Sequence, residues 1–100
     1  NAARMALFTI TEKINKVERQ EKAAKMAYDR AYRRAYITSV EKTEAAKRMR
    51  AELTCEGLEN ELVHFEQLKI ELNRVGHTLR MELQALQSVG NNLRQQMKTM

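Results

Sequence analysis

Few side chains in this sequence are of types that do chemistry, and their spacing works against it. His64 and His77 are the two histidines, 13 residues apart. On one helix that is about 20 Å, too far to share a metal ion. Cys55 is the single cysteine, so no internal disulfide and no cysteine metal site can form. Glu52, Glu56 and Glu59 surround it in sequence, a field that disfavours a thiolate nucleophile. There is no glycine-rich phosphate loop, no Ser/His/Asp set and no carboxylate pair in a cleft-forming context. The expectation is a protein that is not an enzyme, with no cofactor and no metal.

What remains is a cluster suited to binding. In "AYDRAYRRAY", Tyr28, Tyr32 and Tyr36 recur every four residues, interleaved with Arg30, Arg33 and Arg34. Lys47, Arg48 and Arg50 follow shortly after. Arginine and lysine grip phosphates, and tyrosine stacks on unpaired bases. The bulk charge agrees: residues 1–50 carry 13 Lys/Arg against 6 Asp/Glu, whereas residues 51–100 carry 5 against 7. A basic half points to a polyanion, most often nucleic acid, although a helix also needs a solvated face. Tyr28 falls on the apolar seam described next, so packing is favoured over stacking for it. Tyr32 and Tyr36 drift off that seam and are open to either role.

The elements that position this cluster are helices. The chain has no proline and three glycines, and it is rich in Ala, Leu, Glu, Lys, Arg, Gln and Met. Strand-type runs are absent, so the reading is all-α and one domain over residues 1–100. Ile10, Ile14, Val17, Glu21, Ala24, Tyr28, Ala31 and Ala35 form a heptad seam, interrupted by Glu21. The first helix is expected over about 9–36, with Thr9 and Thr11 as candidate N-caps. "YITSV", Tyr36 to Val40, is rich in β-branched and aromatic residues, and Thr38 with Glu41 has capping-box spacing. A bend is expected at about 37–41. The competing break is "TCEG", where Gly57 could end a helix.

A second, longer helix follows, over about 42–98. Leu58, Leu62, Phe65, Leu68, Leu72, Val75, Leu79, Leu83, Leu86, Val89, Leu93, Met97 and Met100 take 12 steps over 42 residues. That period of 3.5 implies left-handed supercoiling against a partner, hence a long helical hairpin or coiled coil. The shorter first helix would cover only about half of the stripe, and exposed leucines favour association. Self-association is therefore expected, a dimer being the simplest closed form, with Leu58, Leu62, Phe65, Leu72, Leu79, Leu83, Leu86 and Leu93 at the interface. Gly76 and Gly90 mark close helix approach or a kink.

"TEAAKRMRAELTCEGLENEL" and "LRMELQALQSVGNNLRQQMK", together with the earlier "EKAAKMAYDRAYRRAY", resemble small helical proteins of phages and prophages of Gram-positive bacteria. The resemblance covers about residues 11–98 and includes the "LQS" segment, Leu86 to Ser88. Genes of that group often lie near recombination and single-strand-binding genes. The resemblance thus implies phage DNA metabolism in the bacterial host, with nucleic acid or a phage recombination protein as partner.

The expected function is a non-enzymatic coiled-coil module acting on nucleic acid or in recombination through Arg30, Arg33, Arg34, Lys47, Arg48, Arg50, Tyr32 and Tyr36. The rival is a structural adaptor that binds only protein. A membrane-surface role ranks last, because the apolar stripe is narrow and no Trp or Phe lines its basic portion. No apolar stretch approaches the roughly 18 residues of a membrane span, and no signal-peptide pattern is visible. With the lone cysteine, this makes the cytoplasm the expected location. The opening "NAARMALF" lacks an initiator Met, so Asn1 to Ala3 read as a cloning remnant or the cut end of a longer chain.

Overall fold

The computed structural model describes residues 2–99; Asn1 and Met100 lie outside the described residues. The fold is an all-α helical hairpin of three helices: α1 (Ala2–Thr38), α2 (Glu44–Thr54) and α3 (Glu56–Thr99). Among the described residues there is no strand, and no helix is long and apolar enough to cross a membrane.

Helix α1 starts earlier than its capping signals imply. Nothing before Thr9 breaks a helix, and alanine at positions 2, 3 and 6 favours one. Thr9 and Thr11 are therefore interior, not N-caps. Their hydroxyls donate to the carbonyls of Met5 and Leu7, at 3.0 and 2.9 Å. The Thr38 hydroxyl likewise donates to Arg34, at 2.7 Å, so Thr38 closes α1 instead of capping the next helix. The turn occupies residues 39–43. Ser39 Oγ accepts from the Glu41 N–H, and Thr43 is the N-cap of α2, its hydroxyl oxygen accepting from Ala46 at 3.1 Å.

The second candidate break also exists, but as a single residue. Cys55 lies at φ −99°, ψ 9°, between α2 and α3. Its N–H still reaches Ala51 at 3.0 Å, and its carbonyl accepts from Glu59 at 2.9 Å. The ladder thus passes through, and the chain does not turn. Gly57 ends nothing; it sits in the first turn of α3 with ordinary backbone angles.

The described chain divides into two compact units, each an antiparallel packing of α1 against later helix. The turn-end unit, Lys16–Lys69, buries Val17 (5% exposed), Ala51 and Cys55 (both 0%). Ala51 and Cys55 are four residues apart, one face of a helix, and their small size admits close approach. Glu21, the residue that interrupts the heptad, pairs with Lys69. Lys69 Nζ donates to Glu21 Oε1 at 3.0 Å and lies 2.9 Å from Oε2, which joins the ion pair without a directed hydrogen bond.

The other unit comprises residues 2–15 and 70–99. Ile14 (8% exposed) and Gly76 are buried, and Ala3, Leu7, Ile10, Leu72, Leu79 and Leu83 are half-buried around them. A Cβ on Gly76 would stand 3.4 Å from Ile10 Cγ2 and 3.8 Å from Ile14 Cδ1, so Gly76 marks a close helix approach. The seam runs through Gly76 and not Val75, which is exposed. No such neighbour stands within 4 Å of Gly90.

Because α1 begins at Ala2, its first turns lie in the same unit as the second half of α3. Arg4 already shares a hollow with Leu83, Leu86 and Gly90. Leu86, Val89, Leu93 and Met97 are exposed all the same.

Candidate functional site

The last turns of α1 carry the three tyrosines, and α2 folds back beside them. Tyr28 and Tyr32 stand with ring centroids 6.0 Å apart and planes tilted by 35°. Tyr28 is half-buried on the seam. Burial, then the Glu59 carboxylate, raises its phenol above the usual value, so it stays neutral at physiological pH. Lys47 of α2 brings its ammonium to 5.9 Å from the centre of the Tyr36 ring, a cation–π distance.

Tyr32, Arg33, Tyr36, Ile37 and Arg48 line one hollow of about 370 Å³. A second, of about 230 Å³, is lined by Tyr28, Asp29, Tyr32 and Arg33. The shared Tyr32 and Arg33 join the two into a shallow groove along α1. Its lining combines aromatic and aliphatic surface from Tyr28, Tyr32, Tyr36 and Ile37 with the guanidinium groups of Arg33 and Arg48. Arg48 also lies 3.7 Å from Glu44, a well-exposed pair that leaves the guanidinium accessible to another anion. Asp29 is the one acidic group lining either hollow.

The eight residues singled out for nucleic acid do not all converge. Tyr32, Arg33, Tyr36 and Arg48 share the groove, and Lys47 covers Tyr36. Arg50 instead lines a hollow of about 300 Å³ with Ala35, Thr38, Ser39, Val40 and Thr54. Arg30 and Arg34 are exposed and line neither of those two hollows. Ile37 was hidden in the sequence because it fell in the expected bend. It actually occupies the last turn of α1, four residues after Arg33, and is 78% exposed.

Charge is concentrated at this end more sharply than the division into halves suggests. Residues 30–50 hold seven Lys/Arg and two Asp/Glu, a net of +5. The other 79 residues hold eleven of each, so this segment accounts for the whole net charge.

The eight expected interface residues also divide. Leu58, Leu62 and Phe65, in the turn-end unit, are half-buried on the face that carries Cys55 and Lys69. Leu72, Leu79 and Leu83 are half-buried in the other unit, whereas Leu86 and Leu93 are exposed. His64 tilts against Phe65, ring centroids 5.6 Å apart. Among the described residues no group of three or more His, Cys, Asp or Glu could hold a metal ion. Comparison with protein-family models, with curated proteins and with solved structures finds no match to this chain.

Proposed function

We propose that this chain is a non-enzymatic helical module that binds nucleic acid at its turn end. The observation that carries the reading is the coincidence of two features: the segment holding the net charge is also the one whose tyrosines and arginines share a groove. Arg33, Lys47 and Arg48 contact phosphates, and Arg30, Arg34 and Arg50 add a more diffuse field. The setting implied by the resemblance is phage or prophage recombination in the cytoplasm of a bacterial host. A second copy covers Leu86, Val89, Leu93 and Met97, giving a dimer or higher assembly.

Titration with labelled single- and double-stranded oligonucleotides at two salt concentrations tests the reading. Three phosphate contacts give a logarithmic salt slope of about −2 on a single strand. Absence of binding at low salt and micromolar protein refutes it. The exposed residues of α3 favour a second reading, an adaptor that binds only protein. Under that reading Arg33→Gln with Arg48→Gln leaves function intact, and Leu86→Gln with Leu93→Gln abolishes it.

A further inference from the structure

We infer that the groove along the end of α1 holds unpaired bases, so that the ligand is single-stranded nucleic acid and not a duplex. The inference rests on the proposed nucleic-acid reading and goes further, because phosphate attraction alone cannot distinguish the two forms. A duplex presents a charged backbone and keeps its base faces stacked inside. Such a ligand gains from arginines but has nothing to place against Tyr32, Tyr36 and Ile37. An unpaired base does: its face stacks on a tyrosine ring, and stacking is tolerant of sequence.

The geometry has the required order. Tyr32 and Tyr36 are four residues apart on one helix, so their rings succeed one another along a single face. Arg33 and Arg48 line the same hollow and are exposed, so both can meet the phosphates of a strand whose bases turn toward the tyrosines. Lys47 stands 5.9 Å from the centre of the Tyr36 ring, which adds positive charge beside it, and Lys47 is not among the residues lining the hollow. Ile37 is exposed at 78%, an apolar side chain with no packing role that a base would cover. Charge complementarity selects the occupant, because residues 30–50 hold the chain's net charge of +5 and two of their arginines line the hollow, a field that an anionic strand neutralises and an uncharged ligand does not.

The chain carries its own reporter. It has no tryptophan and three tyrosines, and all three line this groove. Intrinsic fluorescence therefore reads the groove directly. The experiment titrates the full chain with oligo-dT of about 15 nucleotides, within the range of strand lengths such sites cover. Parallel titrations use an abasic strand with the same phosphates, a duplex of equal length, and thymidine monophosphate.

Oligo-dT is expected to quench tyrosine emission and to bind about tenfold more tightly than the abasic strand. Tyr36→Leu lowers oligo-dT affinity about tenfold and leaves abasic binding unchanged. Because Tyr36 is partly shielded, Ile37→Gln serves as the independent variant; its exposed position leaves the fold intact, and the neutral side chain removes apolar contact with a base without altering the charge, so oligo-dT binding weakens and abasic binding does not. Equal affinity for oligo-dT, abasic strand and duplex, without quenching, overturns the inference but leaves a basic nucleic-acid-binding end. Equal quenching by the monophosphate also overturns it, in favour of a mononucleotide pocket. Failure of every polyanion to bind at low salt instead refutes the underlying proposal.

Discussion

The two units of this chain use the same heptad spacing and reach different results. In the turn-end unit the seam contains Ala51 and Cys55, fully excluded from solvent, opposite an α1 segment rich in alanine. In the other unit large apolar residues are more plentiful, yet Met5, Phe8, Leu86, Val89, Leu93 and Met97 are all exposed. Hydrophobic content therefore does not decide burial here. Small side chains on the facing surface contribute, because they let two helices close; in the second unit Gly76 gives such a point, and Ala3 and Ala6 are only half-buried.

Filling a position fully excluded from solvent should have the largest effect. Ala51→Leu adds three carbons where no solvent-accessible space exists, and overpacking costs about 1–3 kcal/mol. For a chain of this size the melting temperature should fall by about ten degrees. The measurement is thermal unfolding by circular dichroism. An unchanged melting temperature would mean that the turn-end unit is no more tightly closed than its counterpart.

The glycines test the same contrast in the opposite direction. Gly90→Ala meets no neighbour within 4 Å, so it should stabilise by about 1 kcal/mol, the ordinary helix-propensity gain. Gly76→Ala places its methyl 3.4 Å from Ile10 and 3.8 Å from Ile14, at the near edge of ordinary contact, so it adds buried apolar contact to the same propensity gain and should stabilise at least as much as Gly90→Ala. Denaturant midpoints of the two variants give the comparison. A smaller gain at Gly76 would show that the helices stand too close there to accept a methyl.

Which parts were legible in the sequence follows from the same physics. The helical class and the α1 seam were readable, because spacing reports which side chains share a face. Glu21 was readable as an interruption, but its partner was not. Lys69 sits next to Leu68, and spacing alone favours the leucine. Likewise Val75 looked like a seam residue, whereas the contact distance selects the glycine beside it. The helix start was not legible, because threonine serves both as a cap and as an interior residue bonding back to its own helix. The division of the arginines between the groove and the separate hollow that Arg50 lines depends on where α2 returns, which no local pattern encodes.

Surface truncation in the less closed unit should barely change monomer stability. Leu93 is 55% exposed, and substituting it by glutamine is expected to change unfolding free energy by less than about 0.5 kcal/mol. Sedimentation of the same variant separates monomer stability from association. If a second copy covers this segment, the mass falls at equal concentration while the thermal midpoint of the dissociated chain stays constant. A large loss of stability without a change in mass would show that Leu93 packs within its own chain.

The smallest expected effect concerns pH, and the two groups that carry it, Tyr28 and Lys69, lie in the turn-end unit. Burial and then Glu59 raise the Tyr28 phenol, so the folded chain resists an ionisation that the unfolded chain undergoes near pH 10. Its contribution is intact below that pH and declines as the pH rises. The hydrogen bond that Lys69 donates to Glu21, followed by attraction to the nearby carboxylates, outweighs partial desolvation and raises Lys69 too. A raised lysine stabilises fully below its unfolded value, near pH 10.5, and loses that support as the pH climbs through the folded value. Both groups thus act in one direction, and stability should fall on the alkaline side. Tyr28→Phe should flatten the first part of the decline, and Glu21→Gln the later part. If thermal melts between about pH 9 and 11 gave the same profile for both variants and the parent, these polar groups would behave as solvated surface, and the turn-end seam would be as open as the other.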